Sequence, residues 1–170
     1  MNIGVVLFPS KRIQDFANSY RKRYDSKYAL ITPHITMRER ISVDDAELET
    51  IVSALNKVAA QTKPVSLHIQ GARSFHPTNN VLFLKVMPTD ELEQLHKALH
   101  AEELSHTPKY DFLPHITIGQ DLSDVELFDV LERLKMEDIR FQEDVTKMAL
   151  LYELENGSWS VYETFRFTGQ

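Results

Sequence analysis

Two copies of one tetrapeptide carry the residues of this sequence that are best suited to chemistry. The segment Pro33-His34-Ile35-Thr36 returns as Pro114-His115-Ile116-Thr117, 81 residues later in a chain of 170. Each copy follows a Lys-Tyr pair at a similar distance, Lys27-Tyr28 in the first case and Lys109-Tyr110 in the second. Because each copy also lies at a similar depth in its half of the chain, the repeat indicates two equivalent segments.

Each copy is predicted to begin a β-strand that shows its histidine and threonine on one face. Proline biases the preceding residue toward an extended backbone, and successive side chains on a strand point to opposite faces. His34 and Thr36 therefore share a face, with Ile35 on the other. The same alternation places His115 and Thr117 together. We predict that the isoleucines anchor both strands in a core and that the His-Thr pairs line a site.

Paired imidazoles and hydroxyls are suited to phosphodiester chemistry. Histidine has an unperturbed pKa of about 6.5, so near neutral pH one ring can take a proton while another gives one. The hydroxyls of Thr36 and Thr117 can donate hydrogen bonds to the non-bridging oxygens of a phosphate. No cluster of Asp, Glu and His with a recognisable ligand spacing lies near either motif. The sequence therefore predicts acid–base chemistry with no metal and no other cofactor.

The elements around the two motifs repeat in the order β-α-β-α-β, and the second half adds one hairpin strand. Apolar periodicity predicts four helices, which begin after Ser10, at Asp44, over Asp90–Leu104 and at Ser123. The basic run Arg21-Lys22-Arg23 closes the first helix, where cations suit the helix dipole. A turn at His76–Asn80 is the predicted seam. The sequence thus predicts one domain over 1–170, built from repeats that span roughly 1–78 and 79–170.

Composition excludes several classes of protein. There is no cysteine, so disulfides, thiol nucleophiles and thiolate metal sites are absent. The N-terminus lacks the pattern of a signal peptide, and no apolar run approaches the ~20 residues of a membrane span. These features favour the cytoplasm and no membrane partner. The net charge of −6 argues against binding of extended nucleic acid, although residues 1–43 carry eight Lys/Arg against three Asp/Glu.

The two His-x-Thr-x motifs resemble those of the two-histidine (2H) phosphoesterase superfamily. The matching segments are His34-Ile35-Thr36-Met37 and His115-Ile116-Thr117-Ile118. Within the superfamily the chain is most similar to the YjcG branch. The resemblance implies a LigT-like α+β fold, in which two lobes with mostly antiparallel sheets carry their helices outside and enclose a central cleft.

The resemblance also implies an activity and roles for residues. It assigns the proton donor to His34 and the proton acceptor to His115, in a cyclic phosphodiesterase that acts on a 2′,3′-cyclic phosphate of a small nucleotide or RNA end. Three further residues are candidates for substrate contact: Arg38, which continues the His34-Thr36 face, and Tyr28 and Tyr110, which could stack a base. Two alternatives use the same scaffold: a phosphate- or nucleotide-binding module without turnover, and an RNA-end ligase. Nothing in the sequence demands a partner protein.

Overall fold

The computed structural model describes all 170 residues as one antiparallel sheet with four helices. The eight strands are β1 Asn2–Leu7, β2 Ile35–Ser42, β3 Val65–Ser74, β4 Leu82–Val86, β5 His115–Gly119, β6 Arg140–Val145, β7 Lys147–Glu153 and β8 Trp159–Arg166. The helices are α1 Lys11–Tyr24, α2 Asp45–Gln61, α3 Asp90–Ala98 and α4 Asp124–Lys135. The predicted α+β class with antiparallel strands is confirmed.

The strand order is β6-β3-β4-β5-β2-β1-β7-β8, and the centre of the sheet is the contact between β5 and β2. That contact consists of one residue pair, Ile35 with Ile116. The order is symmetrical about it, because β4 flanks β5 as β1 flanks β2. One strand of the first half and two of the second cross to the other side, so β3 pairs with β4, and β7, followed by β8, pairs with β1. The two lobes therefore form one continuous sheet, and each contains strands from both halves of the sequence.

All four helices pack on one face of the sheet and build the main core there. That core contains 35 buried residues from every strand and every helix, Ile35 and Ile116 among them. The opposite face carries no helix, and we call it the open face. A small apolar cluster of Val6, Ala149 and Leu151 lies on it. Because His34, Thr36, His115 and Thr117 alternate with core residues, all four belong to the open face.

The local signals at the helix ends agree with the structure in most places. Capping boxes join Asp44 to Glu47 and Ser123 to Glu126, and they start α2 and α4 as predicted. The third helix differs, since it ends at Ala98 and not at Leu104; a short 3-10 turn, Glu102–Leu104, follows it. No helix has the length and apolar character needed to cross a membrane.

The Ile35–Ile116 contact is expected to contribute strongly to stability. Ile116→Ala truncates a side chain that is fully buried. This substitution should lower the free energy of unfolding by about 2–5 kcal/mol because it leaves a cavity under the central strand pair. Val125→Ala on α4 is the control, since that side chain is 78% exposed and should change the free energy by less than about 0.5 kcal/mol. Urea denaturation measures both. Equal effects of the two substitutions would contradict a central role for Ile116.

Candidate active site

The register between β2 and β5 brings the two predicted motifs together on the open face. Ile35 pairs with Ile116 in an antiparallel sense. One residue further on each side, the same register places His34 opposite Thr117 and Thr36 opposite His115. Each histidine thus lies beside the threonine of the other motif. The sequence predicted which residues share a face, and the structure joins the two faces into one surface.

Both imidazoles are held by the same kind of hydrogen bond. The Nδ1 atom of His34 lies 2.8 Å from the carbonyl oxygen of Thr32, and the Nδ1 atom of His115 lies 2.6 Å from that of Leu113. A carbonyl oxygen only accepts hydrogen bonds, so Nδ1 carries the proton in both rings. In the neutral ring Nε2 is then the atom that can accept a proton. Neither Nε2 atom has a protein partner, and both are therefore available to a ligand.

Two phenylalanine rings fix the surroundings of His115. Phe75 and Phe83 stack at 4.3 Å, and each meets the imidazole edge-on, at 5.1 and 5.2 Å between ring centroids. The sequence patterns did not predict that these two rings belong to the site. Phe83 could be found only from the strand order, because it pairs across β4 and β5 with Thr117 and belongs to the apolar run of β4.

A buried ion pair supports the His34 side of the site. The Arg21 guanidinium lies 3.1 Å from the Asp25 carboxylate, and both side chains are only 2% exposed. Arg21 also donates to the carbonyl oxygen of Ile31 at 2.6 Å, next to Thr32. Asp25 accepts at 2.7 Å from Gln120, which directly follows β5. The pair therefore ties the segment before His34 to the strand that carries His115.

This role of Arg21 was not predicted, because the run Arg21-Lys22-Arg23 was interpreted only as a basic helix end. In the structure Lys22 and Arg23 are exposed, whereas Arg21 is buried. The signal available in the sequence was that Arg21 lies four residues before Asp25, since residues at that spacing share a helix face.

The electrostatics of the site keep both imidazoles neutral in the free protein near pH 7. The pKa of His34 is lowered from 6.5 to about 4, chiefly because the ring is removed from water. The charges of Arg21 and His115 lower this pKa further, while the Thr32 carbonyl and the Asp25 carboxylate raise it. Burial also lowers the pKa of His115, against the carbonyl of Leu113.

The structure corrects the position expected for Arg38. The pairing of β1 with β2 shifts by one residue between Val5–Arg38 and Val6–Thr36, which is a bulge at Met37. The bulge turns Arg38 away from the His34-Thr36 face. Its side chain is 4% exposed and donates to the carbonyl oxygens of Leu99 and Leu104 beyond α3. Arg38 thus supports the helix layer and does not reach a ligand on the open face.

The two tyrosines lie at the surface without contact to the imidazoles. Tyr28 is 43% exposed and lies under the Arg21 guanidinium, 5.7 Å from it. Tyr110 is 67% exposed and packs with Lys109, whose backbone donates to Glu39. The equivalent Lys-Tyr pairs therefore have different surroundings. Tyr28 contacts the site through Arg21. That either tyrosine ring stacks on a substrate base stays a prediction.

Comparison with known proteins places the chain in a family. Residues 9–157 match the family model described as the 2′-5′ RNA ligase superfamily. The chain belongs to the 2′-5′ RNA ligase superfamily. This is the group of two-histidine phosphoesterases that its motifs resemble, and the predicted membership is confirmed.

Relatives and solved structures of the superfamily agree over the whole chain. A protein of Geobacillus sp. (strain WCH70) named "Putative phosphoesterase" is 53% identical over 170 residues, which are 100% of this chain and 98% of the relative. One of Bacillus pumilus (strain SAFR-032), with the same name, is 52% identical over 97% of this chain and 96% of its own length. The crystal structure of E. coli LigT complexed with 3′-AMP superposes with a TM-score of 0.74 at 16% identity, over 98% of each chain. A crystal structure from Thermus thermophilus gives 0.73 at 17% identity over 100% of each chain. These two likenesses show the fold.

The Arg21–Asp25 pair should tune His34 in two opposite directions. Asp25→Asn removes a negative charge and should lower the pKa of His34, whereas Arg21→Gln removes a positive charge and should raise it. Both should lower stability by about 3–5 kcal/mol, since each leaves a buried charge alone. NMR titration of the His34 ring protons measures the pKa.

The matched control is Asp129→Asn, which breaks an exposed pair with Arg133 on α4 and should leave the pKa of His34 unchanged. A shift in the same direction for both buried variants would show that they act through loss of structure alone.

Proposed function

We propose that the protein is a metal-independent cyclic phosphodiesterase, which opens a 2′,3′-cyclic phosphate on a small nucleotide or RNA end. The observation that carries this proposal is the pair of imidazoles held at Nδ1, with both Nε2 atoms free on one face beside two threonines. The structure of E. coli LigT with 3′-AMP supports a nucleotide as the ligand class. A small substrate requires neither an extended nucleic-acid surface nor a partner protein.

Hydrolysis follows from four side chains. The Nε2 atom of one histidine takes a proton from water, and the water oxygen forms a bond to phosphorus. The bond from phosphorus to one ribose oxygen breaks, and the other histidine gives its Nε2 proton to that oxygen. The hydroxyls of Thr36 and Thr117 donate hydrogen bonds to the non-bridging oxygens, where negative charge develops.

We assign His34 as the proton donor and His115 as the acceptor, as the family pattern implies. In the free protein burial lowers the pKa of both rings, and it lowers that of His34 to about 4. The donor role of His34 therefore requires the substrate phosphate, whose negative charge raises the pKa of a neighbouring imidazole.

Ligation of RNA ends is a second candidate, favoured by the description of the family model. Joining is the reverse of the opening step, so the two histidines exchange their roles and the same geometry serves both directions.

A panel of nucleoside 2′,3′-cyclic phosphates, assayed in EDTA, tests the proposal. The wild type should release the monoester at a rate that the chelator does not change. His34→Gln and His115→Gln should each lower kcat by about 10²–10⁴-fold, since each removes one proton transfer. His96→Gln is the matched control: His96 lies on α3 and stacks on Phe112, so this substitution should leave kcat near wild type.

Three results would contradict the proposal. A rate abolished by EDTA and restored by a divalent metal would contradict metal independence. A near wild-type rate in either glutamine variant would contradict the histidine pair. Binding of the cyclic phosphate without turnover would favour the binding module.

A further inference from the structure

Two cations on the His115 side of the open face have no acidic partner. They are Arg73 on β3 and Lys85 on β4, and neither lies within 4.0 Å of a carboxylate. The net charge of the chain is −6, so acidic side chains are plentiful. Both cations are thus free to bind an anion on the face that carries the two motifs.

Lys85 is the direct cross-strand neighbour of His115. The pairs Lys85–His115 and Phe83–Thr117 alternate with the buried pair Leu84–Ile116. Directly paired side chains share a face, with Cβ atoms about 4.5–5.5 Å apart. The side chain of Lys85 therefore stands beside the imidazole, and it is half-buried.

Arg73 reaches the same level of the open face because of a bulge. The ladder between β3 and β4 shifts by one residue between Ile69–Val86 and Ala72–Leu84, so Gln70 and Gly71 together lie opposite Lys85, and Arg73 pairs with Phe83. Gly71 has φ +76, and a Cβ there would lie 3.1 Å from Nη1 of Arg73. The guanidinium is folded back over this glycine, where Nη1 donates to the carbonyl oxygen of Ala72 at 2.8 Å. The strand that carries Arg73 is two strands from that of His115, and their backbones are about 10 Å apart at the usual strand spacing.

The other side of the site is apolar at the position that corresponds to Lys85. On β1, Val6 pairs with Thr36 as Phe83 pairs with Thr117. Two residues beyond Val6, just after the end of β1, stands Phe8, and two residues beyond Phe83 on β4 stands Lys85. Phe8 joins the apolar cluster of the open face, together with Ile31 and Trp159. Among the direct cross-strand neighbours of the two motifs, a cation therefore stands only on the His115 side. Lys147 and Arg166, which pair with each other on β7 and β8, lie farther out on the His34 side of the same face. A half-buried ammonium gains most from an anion that the ligand brings.

We propose that Lys85 and Arg73 form a second phosphate subsite beside His115. It binds a phosphate one nucleotide unit away from the diester that the two histidines hold. The substrate class is then an RNA end or a nucleotide with an additional phosphate, and not an unphosphorylated nucleoside cyclic phosphate. This inference rests on the proposed function for the identity of the first phosphate.

Two product-type ligands that differ by one group test the subsite without turnover. A nucleoside 2′-monophosphate and the matching 2′,5′-bisphosphate are titrated into the protein by calorimetry. The bisphosphate should bind about 10–100-fold more tightly, the range expected for hydrogen bonds to charged groups. Lys85→Met and Arg73→Met should each lower the ratio of the two affinities, bisphosphate over monophosphate, toward one. Lys85→Arg keeps the charge and should retain most of the preference. Lys97→Met on α3, exposed and unpaired, should leave the ratio unchanged.

The outcomes separate this inference from the proposed function. A wild-type ratio near one, or failure of both ligands to bind, overturns the second subsite. So does a ratio that survives in both methionine variants. Absence of cyclic phosphate hydrolysis together with a ratio of ten or more would instead overturn the proposed activity and leave the subsite standing. Melting temperatures of the variants show whether each is folded, and a Lys85→Met variant that does not fold is replaced by Lys85→Gln alongside the Arg73 variant.

Discussion

A single residue pair, Ile35 with Ile116, determines the geometry on which everything else in this molecule depends. It is the one pairing between β2 and β5, and it joins the two lobes into one sheet. With both isoleucines in the core, the side chains next to them must face the other way. A slip by one residue would turn each His-Thr pair into the core. The site therefore exists because an apolar contact on the helix side fixes the register of polar groups on the open face.

The Arg21–Asp25 ion pair complements that contact from outside the sheet. It holds the segment before His34 through Ile31 and the segment after β5 through Gln120. A buried ion pair adds little net stability, because removing both charges from water costs free energy. An apolar pair could fill the same space. The charges of the ion pair, however, act on the pKa of His34 in opposite directions, in addition to the larger effect of burial. Structure and acid–base chemistry are thus coupled at one place in the chain.

Short-range sequence patterns predicted much of the site, and the remaining contacts depend on which strands pair in the sheet. The shared face of His34 and Thr36 follows from the strand period, and the capping boxes at Asp44 and Ser123 follow from local chemistry. Arg38 was placed wrongly because a bulge at Met37 breaks the period, and no residue type signals that bulge. Phe83 and Lys85 become neighbours of His115 only when β4 pairs with β5. That pairing, and the crossing of β3 and β7 between lobes, depends on contacts far apart in sequence, which periodicity does not encode.

The claim at the centre of this account is that one phosphate engages both imidazoles at once. NMR titration of the histidine rings with inorganic phosphate tests it most directly. We expect the signals of His34 and His115 to shift along one common binding curve, and the pKa of both rings to rise because of the adjacent negative charge. His96 and His100, on the helix side, are controls within the same spectrum and should not move. Movement of only one of the two site histidines, or two separate binding curves, would contradict the account.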